Sequence, residues 1–156
     1  MACRQNRVID HLTQVYTDTL HGYFSALSKA TRKLTPDPSG VMPEATPLVI
    51  VLEEGVQLSQ AAGEEQTNYF VQAEVEATLL VNVHATAQNT GIPQQFLAET
   101  LAVLWTVLDV GHGVDGVPYT VIPNGRCNTY PGTTGDGQIE MPIKVRFWRG
   151  LKGEAL

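Results

Sequence analysis

A chain of 156 residues that is 43% hydrophobic and 17% charged, with a formal net charge of −6, has the composition of one folded domain. Its longest uninterrupted apolar runs, 48–52 and 101–105, are too short to cross a bilayer, and the segment after Met1 reads as amphipathic with no signal-peptide core. Two cysteines, Cys3 and Cys127, are too few for a disulfide-stapled scaffold or a thiolate zinc cage. Secretion, membrane insertion and a structural zinc site are therefore not expected.

Residues 6–33 carry Val8, Leu12, Val15, Tyr16, Leu20, Tyr23, Phe24 and Leu27 at three- and four-residue steps, which predicts a long amphipathic helix. Gly22 lies inside it, costs roughly 1 kcal/mol relative to alanine, and is a point where the helix can break. A linker holding Pro36, Pro38, Pro43 and Pro47 is expected to run extended over the surface. The run Leu48, Val49, Ile50, Val51, Leu52 within 47–56 reads as a strand buried on both faces. Residues 68–86 alternate almost throughout, with Tyr69, Val71, Ala73, Val75, Ala77, Leu79, Val81 and Val83 on one face. Phe70, Gln72, Glu74, Glu76, Thr78, Leu80, Asn82 and His84 fall on the other. A strand of that length spans roughly 50 Å and is expected either to bend or to project in part as a hairpin with its predecessor.

A second helix is predicted from Pro93, burying Phe96, Leu97, Leu101, Leu104, Trp105 and Leu108 and stopping at Gly111. A strand over 117–122, a turn at Asn124-Gly125 and a loop containing Gly132, Gly135 and Gly137 come next. The last strand, 138–148, turns Ile139, Met141, Ile143, Val145 and Phe147 inward and Glu140, Lys144, Arg146 and Trp148 outward. The order predicts an α+β fold: an antiparallel sheet, two helices packed on one face, and a long projecting hairpin. Residues 1–149 form the single domain and 150–156 a loose tail.

Chemistry-bearing patterns are few. Gly111, Gly113 and Gly116 match G-x-G-x-x-G, but a dinucleotide site needs a strand before that pattern and a helix after it. Here the order is reversed, so the segment reads as a helix stop plus turn. His11 and His21 sit roughly 80° apart around a helix, and His84 and His112 lie on other elements, so no metal ligand set forms. Cys127 has no activating environment near Asn124–Asn128 in sequence and reads as a loop thiol. Glu74 and Glu76 share a strand face, but an open sheet lacks the cleft that carboxylate catalysis needs. No enzymatic activity, cofactor or metal is expected.

Charge is arranged more tellingly. Arg4, Arg7, Lys29, Arg32 and Lys33 crowd the start, and Arg126, Lys144, Arg146, Arg149 and Lys152 the end. Between Glu44 and Asp109 there is no cation, while Glu44, Glu53, Glu54, Glu64, Glu65, Glu74, Glu76, Glu99 and Asp109 are acidic. That centre does not suit a protein that grips duplex DNA, which needs cations against phosphate. Phe70, Leu80 and Trp148 are large apolar groups on the outward face of the sheet and point to a protein–protein interface.

The order of elements resembles the tail terminator (tail completion) proteins of long-tailed bacteriophages. The pieces that carry the resemblance are Val8-Ile9-Asp10-His11-Leu12, Pro47-Leu48-Val49-Ile50-Val51-Leu52, the alternation over 69–83, Phe96-Leu97-Ala98-Glu99-Thr100-Leu101 and Ile143-Lys144-Val145-Arg146-Phe147. The resemblance implies a ring, usually a hexamer, that caps the tail tube, stops further tube subunits adding and offers a surface to the head. Expected partners are other copies of the chain, the major tube protein and a head-completion or connector protein. DNA passes through without specific binding, and no membrane is involved. The implied location is the head-proximal end of the virion tail, and the host cytoplasm during assembly. Glu53, Glu54, Glu64, Glu65, Glu74 and Glu76 are candidates for facing the lumen or tube. Phe70, Leu80, Arg126, Lys144, Arg146, Trp148 and Arg149 are candidates for the contact between subunits. The alternatives are another head–tail connector and, from a different class, a small α+β ligand-binding domain.

Overall fold

The computed structural model describes residues 3–30, 48–59, 70–84, 93–131 and 136–150. Helix α1 covers Arg4–Ala30 and runs unbroken through Gly22, so the break allowed there does not occur. Val8, Ile9, Leu12, Tyr16 and Leu20 are buried along one side, as their spacing predicts. The hydroxyls of Thr13, Thr17 and Thr19 donate to the carbonyls one turn back, on Ile9, Thr13 and Val15, at 2.8, 2.8 and 2.7 Å. These polar groups are thus satisfied inside the helix and demand nothing from the sheet. The side chains of Phe24 and Leu27, and the linker prolines, lie outside the described residues.

Strands β1 (Leu48–Ser59) and β2 (Phe70–His84) pair antiparallel from Leu48 opposite Asn82 to Ser59 opposite Gln72. On its other side β2 pairs along its whole length with β6 (Asp136–Gly150), from Phe70 opposite Gly150 to His84 opposite Asp136. Strand β4 (Val117–Pro123) continues the sheet beyond β6, and β3 (Gly111–Val114) closes it. The short β5 (Asn128–Pro131) joins β6 beside β4. Every pairing is antiparallel, giving among the described residues a six-stranded sheet of order β1-β2-β6-β4-β3 with β5 alongside. The fold is α+β. The tip of the expected projecting hairpin falls on 60–69, outside the described residues. Strand β6 reaches Gly150, one residue into the segment expected to be tail; 151–156 lie outside the described residues.

One face of the sheet is apolar in register. Val49 and Val51 on β1 stand opposite Val81 and Leu79 on β2, and Val81 and Leu79 opposite Ile139 and Met141 on β6. Phe147 and Val145 stand opposite Tyr119 and Val121 on β4. Helix α1 and helix α2 (Pro93–Trp105) cover this face, burying Leu97 and Leu104 with it. Leu97 lies so close to β6 that a Cβ on Gly137 would come within 2.7 Å of its Cδ2, which is why glycine stands there.

Four expectations are corrected by this arrangement. Strand β1 is not buried on both faces: among the described residues it is the sheet edge and no layer covers the side of Ile50 and Leu52, which are 36% and 47% exposed. Trp105 is 51% exposed, since α2 ends there and Val107, in the turn that follows, takes the inward place. Gly111 is not the helix stop. The chain tightens through 3.0–3.2 Å bonds from Thr106, Val107 and Leu108 to the carbonyls three residues back, then reverses at Asp109, whose φ is 58°. Finally, Gly111, Gly113 and Gly116 belong to a two-stranded hairpin, β3–β4. Its two turn residues, Asp115 and Gly116, have φ of 50° and 78°, the type I′ signature that matches strand twist.

Candidate functional site

The face of the sheet away from the helices is uncovered among the described residues, and most of the candidate residues meet there. Glu74 on β2 stands directly opposite Arg146 on β6, and the two form an ion pair within the one subunit. Glu76 stands opposite Lys144, Leu80 opposite Glu140 and Gln72 opposite Trp148. Leu80 and Lys144 are half-buried; Trp148 is 36% exposed. Ile50 and Leu52 on β1 extend this face to the edge, opposite Leu80 and Thr78.

Glu53 and Glu54, adjacent in sequence, part company at a β-bulge. The register passes from Glu53 opposite Ala77 to Gly55 opposite Glu76, which makes Glu54 the extra residue. Glu54 turns to the uncovered face, where its Oε1 accepts from Thr78 Oγ1 at 2.6 Å. Glu53 stays on the helix side and accepts from Gln5 Nε2 of α1 at 2.9 Å. Beyond the bulge Val56 and Leu58 return to the helix side, opposite Val75 and Ala73, yet are 41% and 54% exposed.

Charge therefore grades across the uncovered face. Glu54, Glu74 and Glu76 occupy its β1–β2 half, Lys144 and Arg146 with the single acid Glu140 its β6 strand, and Arg126 is exposed in the β4–β5 loop. Of the lumen candidates Glu54, Glu74 and Glu76, and of the interface candidates Leu80, Lys144, Arg146 and Trp148, share this surface, while Glu53 lies on the other. Phe70 and Arg149 are placed by their backbones at the paired ends of β2 and β6, and their side chains are outside the described set. Glu64 and Glu65 lie outside the described residues.

Two further features could hold chemistry. A shallow recess of about 210 Å³ opens at the β3–β4 end, lined by Gln72, Trp148, Arg146, Thr120, Pro118 and His112 among others. It is smaller than the ~300–1,000 Å³ typical of ligand clefts. On the helix side, His11 Nδ1 lies 2.6 Å from Tyr119 Oη, and the His112 ring stacks on Tyr119 with centroids 5.2 Å apart. Burial pushes the Tyr119 hydroxyl up to about 12, and burial with Tyr119 and Cys127 nearby pushes that of Tyr16 higher still. Neutral tyrosines in a packed core tie α1 to β4 but supply no acid or base near neutral pH. Among the described residues no three His, Cys, Asp or Glu side chains gather where they could hold a metal ion. No helix among them is long and apolar enough to cross a membrane.

Sequence reasoning missed Val56 and Leu58. Their signal was a change of phase: Val49 and Val51 are odd-numbered, Val56 and Leu58 even, and a one-residue slip on one strand face is the mark of a bulge. Comparison of the chain with protein-family models, with curated proteins and with solved structures finds no match.

Proposed function

We propose that this protein is a structural subunit that works by self-association, in the role of a bacteriophage tail terminator. In that role a ring of copies caps the tail tube, ends its growth and presents a surface to the head. The observation that carries the self-association reading is the sheet edge: β1 is a 12-residue edge strand with Ile50, Leu52, Val56 and Leu58 exposed on its two sides. Long apolar edges recruit other chains unless charges, prolines, bulges or cover blunt them, and in β1 the bulge at Glu53–Glu54 interrupts the apolar edge at one point and leaves exposed apolar residues on both sides of it. The grading from acid at β1–β2 to base at β6 and the β4–β5 loop supports contacts between unlike surfaces, and repeated contacts of that kind close into rings. The tail assignment rests on the resemblance in element order. Within it, Glu54, Glu74 and Glu76 face the lumen or tube, where like charge keeps phosphate from sticking.

Native mass spectrometry and electron microscopy of the purified chain test this, with tube subunits polymerised in its presence. Rings, and tubes that stop growing once the chain is added, are the expected result. A chain that stays monomeric, leaves tube growth unchanged and binds a metabolite would replace this reading with the ligand-binding one.

A further inference from the structure

The strand registers place matching features at opposite edges of the sheet. One row of directly opposed residues runs Leu58, Ala73, Phe147, Tyr119, His112, from the exposed leucine at the β1 edge to the recess at the β3–β4 edge. Another runs Glu53, Ala77, Ile143, Pro123, from the carboxylate at the β1 edge to the start of the loop that carries Arg126. In the first, an apolar side chain 54% exposed lies across from a recess walled by Trp148, Thr120 and Arg146. In the second, an exposed acid lies across from exposed Arg126, with Lys144 between them on the uncovered face.

Orientation completes the match. Glu53, Val56 and Leu58 all sit on the helix side of β1, Glu53 exposed beside Gln5 at the N-terminal end of α1, whereas Trp148, Arg146, Thr120 and Lys144 sit on the opposite, uncovered side. We propose that neighbouring copies overlap like roof tiles. The helix side of β1 in one copy lies on the uncovered side of the β4–β6 edge in the next, with Leu58 in the Trp148 recess and Glu53 against Arg126 and Lys144. Leu58 and Trp148 are offset by one row, and Glu53 and Lys144 by one row in the same direction, so a single rigid-body operation satisfies both contacts together. The operation joins unlike surfaces, and its repetition builds a closed ring or a filament and not a two-fold dimer. A partner of this kind is a second copy of the chain because both halves of the junction are present on each copy. The junction rests on the self-association reading and adds to it which residues meet.

The test is a charge exchange in the full chain, read by sedimentation and native mass spectrometry, with circular dichroism to show that each variant folds. Glu53→Arg alone and Arg126→Glu alone are each expected to raise the concentration needed for assembly roughly ten-fold or more. The two together in one chain are expected to recover assembly, because the charges again oppose. Leu58→Ser is expected to weaken assembly without any such rescue. Wild-type assembly that none of these variants changes, or a double variant no better than the singles, overturns the junction while leaving self-association standing. A wild-type chain that is monomeric even at millimolar concentration overturns both.

Discussion

Tyr16 on α1 and Tyr119 on β4 are both buried, lie near one another, and differ in their hydrogen bonding. Tyr119 Oη has His11 Nδ1 at 2.6 Å, while Tyr16 Oη has no hydrogen-bond partner among the described residues. A buried hydroxyl without a partner forfeits its hydration for nothing, whereas a paired one recovers about 1 kcal/mol. The same change therefore has opposite signs at the two positions. Tyr16→Phe is expected to stabilise the fold and Tyr119→Phe to destabilise it, each by about 1 kcal/mol in denaturant titrations at pH 7. High pH adds a second check. Burial raises the Tyr119 hydroxyl to about 12 against an ordinary value of 10.0, so above pH 10 the unfolded chain releases a proton that the folded chain keeps. Stability is then complete below pH 10 and falls as the pH climbs toward 12; Tyr119→Phe is expected to make that fall shallower in melts recorded across the window. The Glu74–Arg146 pair is argued the same way. Glu74→Arg is expected to lower the melting temperature by setting two cations face to face, and adding Arg146→Glu to restore it, since directly opposed charges on adjacent strands interact in pairs.

At the level of elements, the parts read correctly from the sequence are those whose periodicity is long and uninterrupted. Six alternating positions from Ala73 to Val83 define the buried face of β2 without help from context, and Ile139 to Phe147 do the same for β6. What the pattern could not show is which strand would lie at the edge. Five consecutive apolar residues in β1 look the same whether a second layer covers them or not, and only the strand order decides it. The β3–β4 hairpin was hidden for a different reason. The glycines at 111 and 113 leave β3 almost no side chains to alternate, and Asp115-Gly116, a strong two-residue turn signal, was overshadowed by the phosphate-loop spacing around it. That turn makes a local prediction. Gly116 has φ of 78°, so Gly116→Ala is expected to cost about 1 kcal/mol by denaturant titration, although no atom would obstruct the added methyl group. Gly22→Ala in α1, where again nothing lies within 4 Å, is expected to gain about 1 kcal/mol, since there the glycine is helical and only its flexibility is lost.

Over the whole molecule, the sequence showed that acid and base were segregated along the chain, but not that the fold would return them to one surface. Antiparallel pairing of β2 with β6 does this: it sets the acidic middle of the chain beside its basic end, so Glu74 and Glu76 meet Arg146 and Lys144 as strand neighbours. Glu74 and Arg146, which neutralise each other within a subunit, cannot also hold the next one, which narrows the contact between copies to Lys144 and the groups left at the margins. Glu53 at one edge and Arg126 at the other are both exposed, so their attraction acts through water and is open to screening. The apolar part of the contact, around Leu58 and Trp148, responds to salt in the opposite sense. Sodium chloride shortens the screening length from about 10 Å at 0.1 M to about 3 Å at 1 M. Sulfate salts, by contrast, strengthen apolar burial by exclusion from the protein surface. If both components contribute, assembly measured by sedimentation is expected to weaken several-fold as sodium chloride rises over that range and to strengthen when ammonium sulfate replaces it. The Glu53→Arg, Arg126→Glu double variant should follow the same curve, because screening does not distinguish which side carries which sign. Loss of the chloride response in Arg126→Glu, with the sulfate response retained, would separate the two components directly; a chloride response unaltered in every charge variant would place the ionic contact elsewhere on the surface.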